Sequence, residues 1–197
     1  MNNIEKVYNN ATDTEKRDGL LWYPEAFRTC ATLAEEFKIG VKNTVWALAS
    51  LSPNNTWTNN ILDLVKVLKC YDNKDHKQMC HLYENGYKHA FKSLTCRTYP
   101  INILKAFHCL DGRLEYLKGR KVTSFAENIC NPASQKVTVD GHAYSIYAGE
   151  KMPMKIASPH IQKEYDIVEK AYQDTASKIG IKPMELQAIT WVSWRNK

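Results

Sequence analysis

Over most of its long segments the chain places apolar residues three and four positions apart rather than two, the period of helices lying on a core. After Pro24, which suits a first helical turn, Phe27, Cys30, Ala31, Ala34 and Phe37 form one stripe, and Gly40 follows as a stop. Val45, Leu48, Ala49 and Leu51 predict a second helix that breaks at LSPNN around Pro53, and Ile61, Leu64, Val65 and Leu68 a third with Trp57 near its start. Residues 74–91 suit a fourth, polar helix. Tyr99-Pro100 opens a fifth through Ile103, Leu104, Phe107 and Leu110, closed by Asp111-Gly112. Leu117, Val122, Phe125, Ala126 and Ile129 share another face, Asn131-Pro132 begins a loop, and Val137-Thr138-Val139 is briefly extended before Asp140. From Ser158 onward Ile161, Tyr165, Val168, Tyr172, Ala176 and Ile179 predict a long amphipathic helix ending at Gly180, and Pro183 opens a last one with Leu186, Ile189, Trp191 and Trp194 on its apolar side. The stretch from about Gly149 to Pro159 reads as a connecting loop. The fold class expected is all-α, in a chain whose 197 residues suit one domain.

Function classes fall away quickly. No stretch approaches the roughly 20 apolar residues of a membrane span, and MNNIEKVYNNATDTEKRDG is polar without an apolar segment, so neither membrane nor secretion is expected and the cytoplasm is. The six cysteines form no C-x-x-C pair, which speaks against zinc ribbons and redox motifs; Cys30 and Cys109 sit in apolar patterns and read as buried thiols. His76, Cys80 and His81 have metal-like spacing, but their surroundings are polar and no further ligand pair is near, so a solvated helix face is expected and no metal. Phosphate-loop, dinucleotide and serine-hydrolase glycine motifs are missing.

Charge is informative by location. The window Lys88–Lys121 holds eight Lys and Arg against Asp111 and Glu115, which is the whole formal excess of +6. Such a concentration is expected of a phosphate-binding face, although solvated lysine-rich faces also produce it.

Three segments stand in order along the chain: Leu48–Trp57, a helix ending in an amide-rich turn; Leu117–Asn128, LKGRKVTSFAEN, a glycine turn entering a helix with Lys121 on its first turn; and VTVDGH at 137–142, carrying Asp140. Together they resemble the helix-hairpin-helix DNA glycosylase superfamily (HhH-GPD), which includes endonuclease III and the adenine-specific mismatch glycosylases. LSPNNTW at 51–57 is similar to the family's L-L-S-x-Q segment, Leu117–Thr123 to its L-P-G-V-G-x-K-T-A hairpin, and Val139–Ala143 to its V-D-T-H-V. Lys121 and Asp140 are 19 residues apart, close to the family's interval. The resemblance covers about residues 40–148, within one domain spanning 1–197 on which the helices of 158–197 pack. ELQAITWVSWR at 185–195 is similar to phage proteins of this type, which implies a bacteriophage origin and a host-cell cytoplasm.

The resemblance implies that a base is flipped out of duplex DNA and its N-glycosidic bond cut by a monomer. Asp140 is the implied catalytic carboxylate, and Lys121 either a nucleophile giving lyase activity or only a phosphate contact. Asn54 and Asn55 are the implied probes of the vacated base site, with Lys118, Gly119, Arg120 and His142 as further DNA contacts. Each residue has a plainer reading: Asp140 as the N-cap of an Ala143–Ala148 helix, Asn54 and Asn55 as helix caps, His142 as support for the helix after Asp140, and Trp46, Trp57 and Trp191 as core. Two departures stand out. The hairpin keeps one glycine and is two residues shorter, so cations would replace backbone donors; and no cysteine follows Cys130, which excludes the family's iron–sulfur cluster and leaves no cofactor expected. A related enzyme modifying bases in phage DNA, and a non-catalytic DNA-binding protein, are the other classes the residues allow.

Overall fold

In a computed structural model the chain is all-α. The structure describes residues 1–153 and 162–195, with Gln162 by its main chain only. The expected connecting loop to Pro159 therefore lies partly outside the described residues, as do Ser158 and Ile161 of the expected long helix. Ten α-helices occur among the described residues: α1 (Asn3–Asn9), α2 (Asp13–Glu36), α3 (Val41–Leu51), α4 (Trp57–Asp72), α5 (His76–Glu84), α6 (Pro100–Leu110), α7 (Arg120–Cys130), α8 (Gly141–Ala148), α9 (Gln162–Ile179) and α10 (Pro183–Arg195), with 3-10 turns at Lys92–Leu94 and Leu114–Tyr116. No described helix is long and apolar enough to cross a membrane.

Residues 27–126 form one compact unit; residues 1–26 and 127–197 form the other. Residues 137–146 bury their apolar groups with Ile4, Val7 and the apolar faces of α9 and α10. In the central unit α3 packs on α6, and α3 is buried nearly all round through Thr44, Val45, Ala47, Leu48, Ala49, Ser50 and Leu51. Asn43 donates to the Leu110 carbonyl at 3.3 Å and Ser50 to the Asn102 carbonyl at 3.3 Å, so the two helices run antiparallel. Leu64, Leu68 and Phe107 complete this core.

The terminal unit gathers α1, α8, α9 and α10. Its core joins Ile4 and Val7 to Val137, Val139, Ile146, Tyr165, Val168, Tyr172 and Leu186. Gly19 of α2 lies against the α10 backbone, where a Cβ would come within 2.4 Å of Ile189 Cα.

Several expectations are corrected. Pro24 lies inside α2, which starts eleven residues earlier at a capping box: Thr12 Oγ1 accepts from Glu15 N at 3.2 Å and Glu15 Oε2 from Thr12 N at 2.9 Å. The helix tolerates Pro24 because the lost bond would reach the carbonyl of Leu20, and both residues are exposed to solvent. Phe27, expected in the stripe, is exposed; Tyr23, Ala26, Cys30 and Ala34 form the buried face. Gly40 caps the start of α3 instead of stopping α2, because Lys38 (φ 54) takes the left-handed turn. The helix expected over 74–91 stops at Glu84, followed by Gly86 at φ 97. Trp46, Trp57 and Trp191 are half-buried rather than core, as suits a ring too large to enclose fully.

Candidate functional site

The expected site residues divide between the two units, and each group has its own geometry. In the central unit, the α3–α4 turn puts Asn54 in the left-handed region (φ 56), exposed, with its amide 3.4 Å from Tyr99 Oη. Asn55 turns inward: its amide donates to the Leu51 carbonyl at 3.3 Å and to Asp63 Oδ2 at 3.0 Å. Both amide hydrogens are thereby used within the fold, and neither asparagine is a cap, since Ser52 ends α3 and Thr56 caps α4.

Two residues that periodicity passes over organise this region. Asp63, 0% exposed, accepts from Arg97 N at 2.9 and 3.1 Å, from Thr98 N at 3.2 Å and from Asn55, with Lys66 Nζ at 3.8 Å. A buried carboxylate is retained when donors surround it, and here it ties the approach to α6 onto α4. A polar residue on the buried face of α4, between Asn60 and Val67, was the available signal. Tyr99, at 58% exposure, caps α6 just before Pro100 and presents its ring to solvent beside Asn54. In the sequence it stands only as the residue that opens a helix with Pro100.

The second cluster opens α7. Lys118 and Gly119 are exposed, and Arg120 and Lys121 are half-buried in the first turn, which holds no acidic residue. Gly119 accepts the first helical bond, from Thr123 N at 3.0 Å. It does not occupy the left-handed region, and a Cβ there would meet only Val122 Cγ2 at 3.3 Å. The turn thus has no strict need of glycine. The first amides of a helix lack intrahelical acceptors and lie at the positive end of its dipole, where cations are disfavoured by about 0.3–1 kcal/mol each. Lys118 and Lys121 place like charge at that end, an arrangement that an anion would relieve.

In the terminal unit Asp140 caps α8: its Oδ1 accepts from Ala143 N at 2.8 Å. The plainer reading of that residue is therefore correct as far as local structure goes, with the helix starting at Gly141 rather than Ala143. The residue is half-buried, and Oδ2 has no hydrogen-bond partner among the described residues. The approach to it is unusually well held. An extended segment in a helical protein has no sheet to satisfy its backbone, and α9 takes that role: Glu169 Oε1 accepts from Val137 N at 3.0 Å, and Tyr165 Oη accepts from Val139 N at 3.1 Å while donating to the Val137 carbonyl at 2.6 Å. Val137 and Val139 point into the core. Thr138 points the other way, 3.0 Å from Tyr23 Oη and 3.2 Å from Asn128 Nδ2. Tyr23 in turn donates to Gln187 Oε1 at 2.8 Å, and Ser134 to Asn128 Oδ1 at 2.6 Å. Burial holds the Tyr23 hydroxyl well above its usual range, so it stays a donor. His142, on the first turn of α8, meets the edge of Trp191 at 6.3 Å.

Other candidates resolve differently. His76 is buried against Tyr71 (ring centroids 4.4 Å) and Phe107 (5.5 Å), not solvated, whereas His81 is exposed. No group of three His, Cys, Asp or Glu able to hold a metal exists among the described residues. None of the six cysteines is paired in a disulfide among the described residues. Burial pushes Cys80, Cys96 and Cys109 up to about 12 and Cys70 up to about 11, which makes them poor nucleophiles.

No curated protein and no solved structure matches the chain. A family model described as a family of unknown function (DUF7178) matches residues 1–197, its full length, and the chain belongs to that family.

Proposed function

We propose that the chain is a DNA glycosylase, a cytoplasmic monomer that binds duplex DNA, flips out a damaged or modified base and cleaves its N-glycosidic bond. The observation that carries the reading is the cationic opening of α7: Lys118, Arg120 and Lys121 gathered at a helix N-terminus without an acidic residue in its first turn, in the unit that holds the whole Lys88–Lys121 window. Exposed Tyr99 beside Asn54 supports it, since an aromatic face next to an amide suits the edge of an unstacked base. In the proposed reaction water adds at C1′ while the C–N bonding electrons leave with the base. Asp140 stabilises the positive charge on the sugar or takes the proton of that water, using the oxygen that capping leaves over. Lys121 contacts phosphate, or attacks C1′ as an amine and adds lyase activity.

The capping role permits a clean test. Asn is as good a cap as Asp, so Asp140→Asn keeps α8 and removes the charge. Duplexes carrying uracil, mismatched adenine, oxidised pyrimidines or 5-hydroxymethyluracil are incubated with both proteins and scored for abasic sites. Release by the native chain that is abolished in Asp140→Asn is expected; equal release by both removes Asp140 from the chemistry. Borohydride trapping of the native chain but not of Lys121→Ala marks Lys121 as the nucleophile. A second reading, DNA binding without catalysis, is favoured by the cap itself, which accounts for Asp140 structurally; salt-sensitive binding with no product from any duplex is its signature.

A further inference from the structure

We infer that a cavity in the terminal unit is a phosphate site, taking one phosphodiester of a nucleic-acid strand. The inference rests on the glycosylase reading for the identity of the strand, but not for the existence of the site. The cavity, about 250 Å³, opens between α8, residues 151–152 and α10, and is lined by His142, Ser145, Lys151, Met152, Trp194 and Arg195. Among the described residues no carboxylate lines it, and neither Lys151 nor Arg195 has an ion-pair partner. General basicity does not explain two such cations in one concavity. Residues 1–26 and 127–197 carry twelve Lys and Arg against thirteen Asp and Glu, a formal charge of −1.

Arg195 is also prepared. The Arg195 guanidinium lies 4.4 Å from the centroid of Trp191, so part of the cost of ordering it is met before any ligand arrives. The same Trp191 ring meets the edge of His142, and the two residues are thereby set by one aromatic support. Ser145 contributes no donor, because its hydroxyl is committed to the Gly141 carbonyl at 2.8 Å. Phosphate binding therefore falls to Lys151, Arg195 and the His142 imidazole, with Met152 and Trp194 as an apolar floor on which a sugar can lie. The volume is below the roughly 300–1,000 Å³ of ordinary small-molecule sites, which favours a single phosphate and its sugar over a whole soluble ligand. His142 stands two residues after Asp140 and Ser145 five, about 7 Å along α8. A strand phosphate held here lies beside the carboxylate on one rigid helix.

Two measurements test the site. Inorganic phosphate is titrated into the full chain while the His142 imidazole and Trp194 indole resonances are followed, with sodium chloride at matched ionic strength as the control. Saturable shifts specific to phosphate, lost in Lys151→Gln/Arg195→Gln, are expected; no saturable shift, or an equal shift in the double variant, overturns the site. Duplex affinity is then measured against salt for both proteins. The double variant is expected to lower the slope of log K against log salt by about one, the signature of one lost phosphate contact; an unchanged slope overturns the nucleic-acid assignment. Circular dichroism verifies that both exposed substitutions leave the fold intact. A chain that passes both tests and releases no base loses the glycosylase reading and keeps the site.

Discussion

His76 and His108 are buried with ring nitrogens that make no hydrogen bond. His108 Nε2 is 3.3 Å from Glu84 Oε1 without hydrogen-bond geometry, and its ring lies 3.8 Å from that of Tyr116. His76 Nε2 is 4.0 Å from Asp111. Burial lowers both imidazoles below the ordinary histidine value, against the opposing pull of Glu84 and Asp111 and with Arg113 adding to the effect at His108. Below about pH 6.5 the unfolded chain therefore binds more protons than the folded one. The stability contributed by the two neutral rings is present above that pH and is lost as pH falls toward their lowered folded values. Urea midpoints are expected to drop between pH 7.5 and 5.5, and less steeply in His108→Phe; a flat profile contradicts the burial of these rings. Glycines offer a contrast at the same scale. Gly19→Ala drives a methyl into the α10 backbone and is expected to cost about 1–3 kcal/mol, whereas Gly119→Ala needs only a small shift of Val122 and is expected to cost under about 1 kcal/mol. Denaturant titrations of the two variants check the pair.

Among elements, the clamp on residues 137–139 is the most exposed to disruption. Tyr165→Phe removes the hydroxyl that serves both Val139 N and the Val137 carbonyl, and leaving buried backbone groups unpaired costs about 1–3 kcal/mol. A matching fall in stability is expected by thermal unfolding, with faster amide exchange at Val139. A one-residue insertion between Asn128 and Asp140 is worse, since period-two alternation then sends Thr138 toward the core and the valines outward. This clamp was invisible in the sequence because its partners come from α9 and α2, and no local pattern links Glu169 or Tyr23 to Val137 or Thr138. The helices α3, α4, α6 and α10 were legible from apolar stripes together with Pro100 and Pro183, because each buries a face whose period the local sequence repeats. In contrast, α1 offers only Ile4 and Val7 in a polar run, and its burial depends on α9 and α10. The start of α2 was written in the Thr12–Glu15 box but masked by the stronger apolar stripe after Pro24. Of the candidate site, Asp140 as a cap and the cationic α7 opening were readable locally; the inward turn of Asn55 was not, since Asp63 lies on the next helix.

At the scale of the whole molecule, charge follows the two units. Residues 27–126 hold fifteen Lys and Arg against eight Asp and Glu, +7, while the terminal unit carries −1. Nucleic-acid affinity is expected to fall steeply with salt and to be lowered more by Lys118→Ala/Lys121→Ala than by removal of two exposed cations such as Lys170 and Lys178; equal losses contradict a localised face. The cores also differ in how their parts are spread along the chain. Every contact that closes the α3–α6 core lies within a hundred consecutive residues, whereas Ile4 and Val7 meet Tyr165, Val168 and Leu186 only across most of the chain length. On a ribosome Ile4 and Val7 are thus made long before the residues of α9 and α10 that cover them. The central unit has its full complement of helices before α8 is complete, while α1 must wait for α9 and α10, and during that interval Ile4 and Val7 are the natural target of chaperones that bind short apolar segments.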